Sequence, residues 1–243
     1  MKRVINMNNN CVNCCNGCRG QYCASKVPIF ENLNCDELSE VVKSINHNVY
    51  SKGEILFDEG TTANNMFFVN EGKVKLYKYT KDGKEQILHI LSEGDFFGEL
   101  NLLNSSIHNF SAKAIKNSKI CSLSNEEMKN IIMKKPQIGI KLLESVGERL
   151  ANTENLAQNL ATNDADSRVA YLLIDLLEKY GKVIGEKKEI QVPMSREDMA
   201  NCVGVTRETM SRKLKKFEDE NLISIPKIKK IIVLDEDGLR DYI

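Results

Sequence analysis

Ser195-Arg-Glu-Asp-Met-Ala-Asn-Cys-Val-Gly-Val-Thr-Arg-Glu-Thr-Met-Ser-Arg-Lys-Leu-Lys-Lys-Phe217 decides how this chain folds. Ser195, three residues before Asp198, predicts a capped helix start; Gly204 is suited to the left-handed conformation that ends that helix, and Thr206 caps a second. The segment reads as a helix-turn-helix. In the second helix Met210, Leu214 and Phe217 recur at spacings of four and three and face inward, which sets Arg207, Glu208, Ser211, Arg212 and Lys215 on the outer face. Arginine pairs in bidentate fashion with guanine, glutamate accepts from the cytosine amino group, and serine reaches base or phosphate. The helix start capped by Thr206 itself favours phosphate. Five basic residues stand against one acid between Arg207 and Lys216.

Downstream, Leu222–Ile225, Pro226 and Ile231–Leu234 frame a hairpin whose tip carries Lys227, Lys229 and Lys230, a wing placed to touch backbone phosphate. Upstream lie a polar, glycine-containing stretch and a helix around Ser167–Tyr180. Before these, Leu143, Val146, Leu150, Thr153, Ala157 and Leu160 recur at spacings of 3, 4, 3, 4 and 3, one stripe of a helix over Gln137–Thr162. Such a stripe makes a coiled-coil seam between two chains, or packs on the chain's own barrel. Pro136 and Asn163-Asp164-Ala165-Asp166 bound it, so a domain border is expected near residue 163. From Val27 to about Ser124 short apolar runs are punctuated by Gly53, Gly60, Gly72, Gly83, Gly94 and Gly98, with alternation in Lys73–Tyr77, the pattern of an antiparallel barrel or roll.

The chain has 243 residues, 42% hydrophobic and 28% charged, enough for two cores. Its 34 basic and 34 acidic residues cancel, so any nucleic-acid contact must come from local charge. No run approaches the roughly 18 apolar residues of a membrane span, and the start MKRVINMNNN lacks a secretory apolar core, so a cytoplasmic protein with no membrane partner is expected. Five of the eight cysteines, Cys11, Cys14, Cys15, Cys18 and Cys23, fall in a head poor in apolar residues; Cys35, Cys121 and Cys202 are scattered. In a reducing compartment clustered thiols read as metal binding or redox sensing. Cys35 and Cys202 read as packing residues. His47, His89 and His108 are isolated in the sequence, without a ligand-like neighbour at helical spacing. No GxxxxGK[ST], GxSxG or HExxH string is present, which argues against an enzyme.

A glycine-punctuated roll, a seam helix and a winged helix-turn-helix in this order resemble the Crp/Fnr superfamily of bacterial transcription regulators. The motifs are Gly94-Asp-Phe-Phe-Gly-Glu-Leu100 in the roll and Arg207-Glu208-Thr-Met-Ser211-Arg212 in the recognition helix, and the likeness runs from about Val27 to the end. It implies an α+β chain: cysteine-rich head 1–26, cyclic-nucleotide-binding-like β-roll 27–136, dimerisation helix 137–162 and winged helix-turn-helix 163–243. It further implies a homodimer on palindromic double-stranded DNA with a TGA-containing half-site, with RNA polymerase as a partner. Ser211 is typical of the Fnr branch and Arg207 of the Crp branch, leaving the half-site between TTGAT-like and TGTGA-like sequences.

In cyclic-nucleotide-binding members Gly-Glu-Leu holds the ribose and an Arg-Ser pair about ten residues later the phosphate. Here that slot reads Asn109-Phe110-Ser111, and no arginine lies between Leu100 and Glu148. The expected anchor for a nucleotide phosphate is missing, since Lys113 lacks the planar fork. The Gly98-Glu99-Leu100 motif then has a structural role as a tight turn. The spacing Cys15-x2-Cys18-x4-Cys23 lets thiolates converge on one centre, and an iron-sulfur cluster needs a fourth ligand, for which Cys121 is placed. The Fnr branch uses three head cysteines and one at the position of Cys121. The resemblance therefore implies a 4Fe-4S cluster on Cys15, Cys18, Cys23 and Cys121, with Cys11 and Cys14 as alternates, whose loss in oxygen switches DNA binding. Three other readings stay open: a Cys23–Cys121 disulfide switch without cofactor, implied by relatives similar over Cys23–Phe30; a zinc-thiolate site; and a regulator that binds a small-molecule effector, such as a nucleotide, in the roll.

Overall fold

A computed structural model describes residues 23–102, 107–161, 164–184 and 187–243. The chain divides into two compact units, one built from residues up to Lys78 with Leu88–Arg149, the other from Tyr79–Ile87 with Leu150–Ile243.

The first unit opens with two short 3-10 turns, Cys23–Lys26 and Pro28–Phe30, and helix α1, Cys35–Lys43. The side chain of Asn34 accepts from the Glu37 amide at 3.0 Å and that of Glu37 accepts from the Asn34 amide at 3.0 Å, a reciprocal cap that satisfies two orphan donors at the start of α1. Strands β1 (Asn46–Tyr50), β2 (Ile55–Phe57), β3 (Asn65–Glu71), β4 (Lys73–Tyr79), β5 (Glu85–Ser92), β6 (Phe96–Phe97), β7 (Ser111–Ala114) and β8 (Ser118–Ser124) follow. They form two four-stranded sheets, ordered β1-β8-β3-β6 and β2-β7-β4-β5, and every pairing with a recorded register is antiparallel. This is the roll that the glycine punctuation predicts.

Residues alternate sides along a strand, and here both faces of the β1-β8-β3-β6 sheet are buried. Tyr50, Val69, Phe97 and Ile120 point into the roll with Val74, Leu76 and Ala112. Met66, Phe68, Phe96, Cys121 and Leu123 point the other way, into a core shared with Ala24, Val27, Phe30, Leu38 and Val41. Two further helices close that second core: α2, Asn125–Lys134, which contributes Met128, and α3, Pro136–Ala161, which contributes Ile138 and Leu142. Phe30 and Phe68 meet at 5.5 Å between ring centroids, a tilted pair. Burying each such ring is worth about 1.5 to 3 kcal/mol, so the segment just after the cysteine-rich head is fastened to the outside of the roll.

The second unit contains α4 (Ala165–Tyr180), β9 (Gly181–Ile184), β10 (Lys187–Gln191), α5 (Arg196–Cys202), α6 (Arg207–Asp219), β11 (Ile223–Lys227), β12 (Lys230–Val233) and α7 (Glu236–Arg240). Its sheet has the order β11-β12-β10-β9. The polar, glycine-containing stretch after Tyr180, read without strands from the sequence, forms strands β9 and β10 paired with each other. β10 also pairs with β12, where Ile190 lies opposite Ile231 and both are buried. Among the described residues no helix is long and apolar enough to cross a membrane.

Candidate nucleic-acid interface and sensor site

Ser195 caps α5 as its spacing with Asp198 requires: the Ser195 hydroxyl accepts from the Asp198 amide at 3.1 Å, and the Asp198 carboxylate accepts from the Ser195 amide at 3.1 Å. Gly204 sits at φ +65°, the left-handed region that ends a helix at low cost only for glycine. The Thr206 hydroxyl then accepts from the Thr209 amide at 3.1 Å and starts α6. Met210, Leu214 and Phe217 are buried, whereas Thr206, Arg207, Glu208, Ser211, Arg212 and Lys215 are all exposed. The second helix therefore presents the residue set that its period predicts.

The basic residues of α6 do not form one uniform patch. Lys213 Nζ lies 2.8 Å and Lys216 Nζ 2.9 Å from the carboxylate of Asp166 in the first turn of α4. Lys216 also stands over the Tyr242 ring, 4.9 Å from its centroid. Lys215 is exposed and ion-paired along the helix to Glu218 at 3.3 Å and Asp219 at 3.0 Å. Among the described residues the side chains of Arg207, Glu208, Ser211 and Arg212 make no ion pair or hydrogen bond within the chain. Lys213 and Lys216 hold the helix in place, and the other four groups stay unpaired among the described residues. In the hairpin downstream Lys227 and Lys229 are exposed with Ile228 at the tip, but Lys230 is ion-paired to Glu189 on β10 and belongs to the sheet.

Along α3, Leu143 is 64% exposed and Leu150 59%, with Ile140 also exposed. Val146 is half-buried, and Thr153 and Ala157 are exposed; the side chain of Leu160 lies outside the described residues. Ile138 and Leu142 take the packing against the roll, and among the described residues Leu143, Val146 and Leu150 are not part of that core. Isolated apolar side chains at a surface are ordinary, but a row of them on one helix marks an interaction face.

Gly98 has φ +87°, and a Cβ there would approach the Asn65 carbonyl oxygen to 2.8 Å, so the motif Gly98-Glu99-Leu100 makes the tight turn expected of it. Glu99 is 3% exposed. Its carboxylate is ion-paired with Arg149, whose Nη2 donates to the Phe96 carbonyl at 2.8 Å and whose guanidinium lies over the Phe96 ring. Arg149 follows immediately on the arginine-free stretch from Leu100 to Glu148, and the sequence reading did not single it out. Nearby, His108 stacks on Phe57 at 3.5 Å between centroids, and burial pushes its pKa down.

Cys121, in the middle of β8, is 1% exposed and faces the helical side of the sheet, in one apolar core with Ala24, Val27, Ile138 and Leu142. The turn that begins at Cys23 packs against the neighbouring strand β3. Cys11, Cys14, Cys15 and Cys18 lie outside the described residues, as does the side chain of Cys23. His47 is not isolated in the fold: β1 pairs with β8 so that it stands directly opposite Cys121, with Nδ1 3.3 Å from Sγ. It lacks a neighbour at helical spacing because its partner comes from a strand 74 residues away. His47 is half-buried, which pushes its pKa down and favours the neutral imidazole. Cys35 and Cys202 are half-buried rather than core residues; Cys202 Sγ is 4.0 Å from Met194 Sδ.

Residues 47–135 match the model of the cyclic nucleotide-binding domain, and residues 167–242 that of the Crp-like helix-turn-helix domain. The chain is 30% identical over 221 residues to the probable transcriptional regulator flp of Lacticaseibacillus casei, covering 90% of this chain and 97% of the relative. It is 32% identical over 197 residues to the nitrogen fixation regulation protein FixK of Bradyrhizobium diazoefficiens, covering 81% and 82%. The cAMP-activated, Crp-like global regulator of Mycobacterium tuberculosis is 26% identical over 215 residues, covering 88% of this chain and 96% of that one. Among solved structures, FixK2 from Bradyrhizobium japonicum superposes with a TM-score of 0.72 at 26% identity, over 82% of this chain and 96% of that one. With an α6 face free to meet double-stranded DNA and relatives that are regulators and not enzymes, the chain belongs to the Crp/Fnr family of DNA-binding transcription regulators.

Proposed function

We propose that the protein is an oxygen- or redox-responsive regulator that binds, as a homodimer, a palindromic site with a TGA-containing half-site and acts together with RNA polymerase. Arg207, Glu208 and Arg212 read base edges, Ser211 reaches base or phosphate, and the helix start at Thr206, Lys215 and the wing residues Lys227 and Lys229 meet phosphate. Leu143, Val146, Leu150, Thr153, Ala157 and Leu160 form the dimer seam. Cys121 with Cys15, Cys18 and Cys23, or with Cys11 or Cys14 in place of a head cysteine, holds a 4Fe-4S cluster. The donor chemistry fits: Cys121 is a buried thiol beside a hydrogen-bonding imidazole, under the turn that Cys23 begins. A bound cluster would supply sensitivity to oxygen.

The position of Cys121 carries this reading. It faces away from the lumen of the roll and into the core that holds both the strap after the head and the first turns of α3. Cys121 and the strap, Ala24 to Phe30, thus bear on Ile138 and Leu142, which set how α3 leaves the roll. A change in what holds the head to Cys121 is felt at the start of the seam helix without passing through the lumen. The lumen has its own use for the residues that relatives devote to effectors, since Glu99 is tied to Arg149.

The test is an anaerobic preparation of the full chain, assayed for iron, acid-labile sulfide and binding to a TGA-containing palindrome before and after exposure to air. Iron with sulfide, an absorbance shoulder near about 400 nm and a loss of operator binding in air are expected. Zinc alone, or an iron-free protein that forms a Cys23–Cys121 disulfide in air, would replace the cluster by one of the two other thiol switches.

A further inference from the structure

We propose that His47 is a positioning residue of the sensor: its Nδ1–H donates to the Cys121 sulfur, fixes the direction in which that sulfur points, and carries part of its negative charge. This rests on the reading of Cys121 as the sensing thiol.

Three observations lead there. The β1–β8 register sets His47 opposite Cys121, with Phe68 of β3 on the other side of the same thiol. The Nδ1–Sγ separation of 3.3 Å is within hydrogen-bonding reach of sulfur. The core that Cys121 shares includes Phe68, Leu123, Ala24 and Val27. In such a core a metal-bound or ionised sulfur is costly without a donor aimed at it.

The tautomer follows from the chemistry of ligation. Binding a metal takes the proton from the thiol, so the sulfur can then only accept. A neutral imidazole has one N–H, and if the bond to sulfur is kept that hydrogen is on Nδ1. Hydrogen bonds to cluster sulfurs tune reduction potential, and partners behind a metal ligand typically alter affinity by about 10- to 100-fold. A histidine that merely filled space would be replaceable by any ring of similar size.

The experiment compares the full-length wild type with His47→Phe, which keeps the ring and removes the donor, and His47→Asn, whose amide N–H takes the place of Nδ1–H. Metal-free protein is titrated anaerobically with cobalt(II), and the sulfur-to-cobalt charge-transfer band is followed. His47→Phe is expected to bind cobalt about 10-fold more weakly, with His47→Asn restored towards wild type. Equal affinity in all three proteins, or a His47→Asn variant as weak as His47→Phe, overturns the proposal. Absence of a sulfur-to-cobalt band from wild type would defeat the metal-centre reading alone. The role of His47 is then read in the iron-free protein from the nitrogen chemical shifts of its ring. An Nδ1–H in wild type that is lost in Cys121→Ala supports it, and an Nδ1 without hydrogen facing the sulfur overturns it.

Discussion

Arg207, Glu208, Ser211 and Arg212 differ from every other charged or polar group on α6 in having no partner within the chain among the described residues. Lys213 and Lys216 are engaged by Asp166, and Lys215 by Glu218 and Asp219. The unengaged groups need not break an existing contact before binding DNA, so their full hydrogen-bonding capacity is available at a base edge. Arg212→Ala is expected to weaken binding to a TGA-containing palindrome by about 1 to 3 kcal/mol and to relax the preference for that base pair, while leaving the salt dependence of non-specific binding nearly unchanged. Fluorescence anisotropy on matched and mismatched duplexes at several salt concentrations checks this; a loss that is equal on all sequences would make Arg212 a phosphate contact. The identities and outward direction of these four residues were legible in the sequence, because a helical period needs only local information. The partners of Lys213 and Lys216 were not, since Asp166 is about fifty residues away and nothing local announces it.

Asp166 ties the first turn of α4 to α6, and so orients the recognition helix on its own domain. Its side chain is mostly buried. Burial pushes its carboxyl pKa up, but the ammonium groups of Lys213 and Lys216 outweigh that and hold it below the usual carboxylate range. A folded pKa below the unfolded value means the stabilisation is fully present above the unfolded value, near about pH 4, and is lost as the pH falls through the folded one. Asp166→Asn is therefore expected to cost about 1 to 3 kcal/mol at neutral pH, with the gap from wild type closing below about pH 4. Urea unfolding of the two proteins followed across that range measures it. Three helices were read closely: α3 spans Pro136–Ala161 where the stripe predicts 137–162, and α5 and α6 start at their predicted caps, whereas α2 and α7 were not read at all. The β9–β10 hairpin was missed because β9 is exposed along its whole length, Val183 and Ile184 included, and only β10 gains a buried partner, from β12.

For the assembled protein, the exposed row on α3 is the surface proposed above as the dimer seam. Leu143 and Leu150 stand more than half exposed on a helix whose other apolar face is already packed on the roll. Across a two-fold seam Leu143→Glu puts like charges opposite each other as well as removing apolar burial, and two to three heptads have little stability to spare. Light scattering on a sizing column should show Leu143→Glu shifted to monomer at micromolar concentration, with operator binding weakened far more than the fold, which thermal unfolding would report separately. The amino-acid sequence by itself determined the order of the parts, the outward face of α6 and the helical stripe of α3, because periodicity, caps and glycine turns act over a few residues. It also singled out the head cysteines and Cys121 as thiols. Only the tertiary structure set His47 against Cys121, tied Arg149 to Glu99, and turned Cys121 away from the lumen towards the core that meets α3. Those depend on strand register and on which sheet face a helix covers, and register brings together residues far apart in the chain by hydrogen-bond geometry that no local pattern encodes.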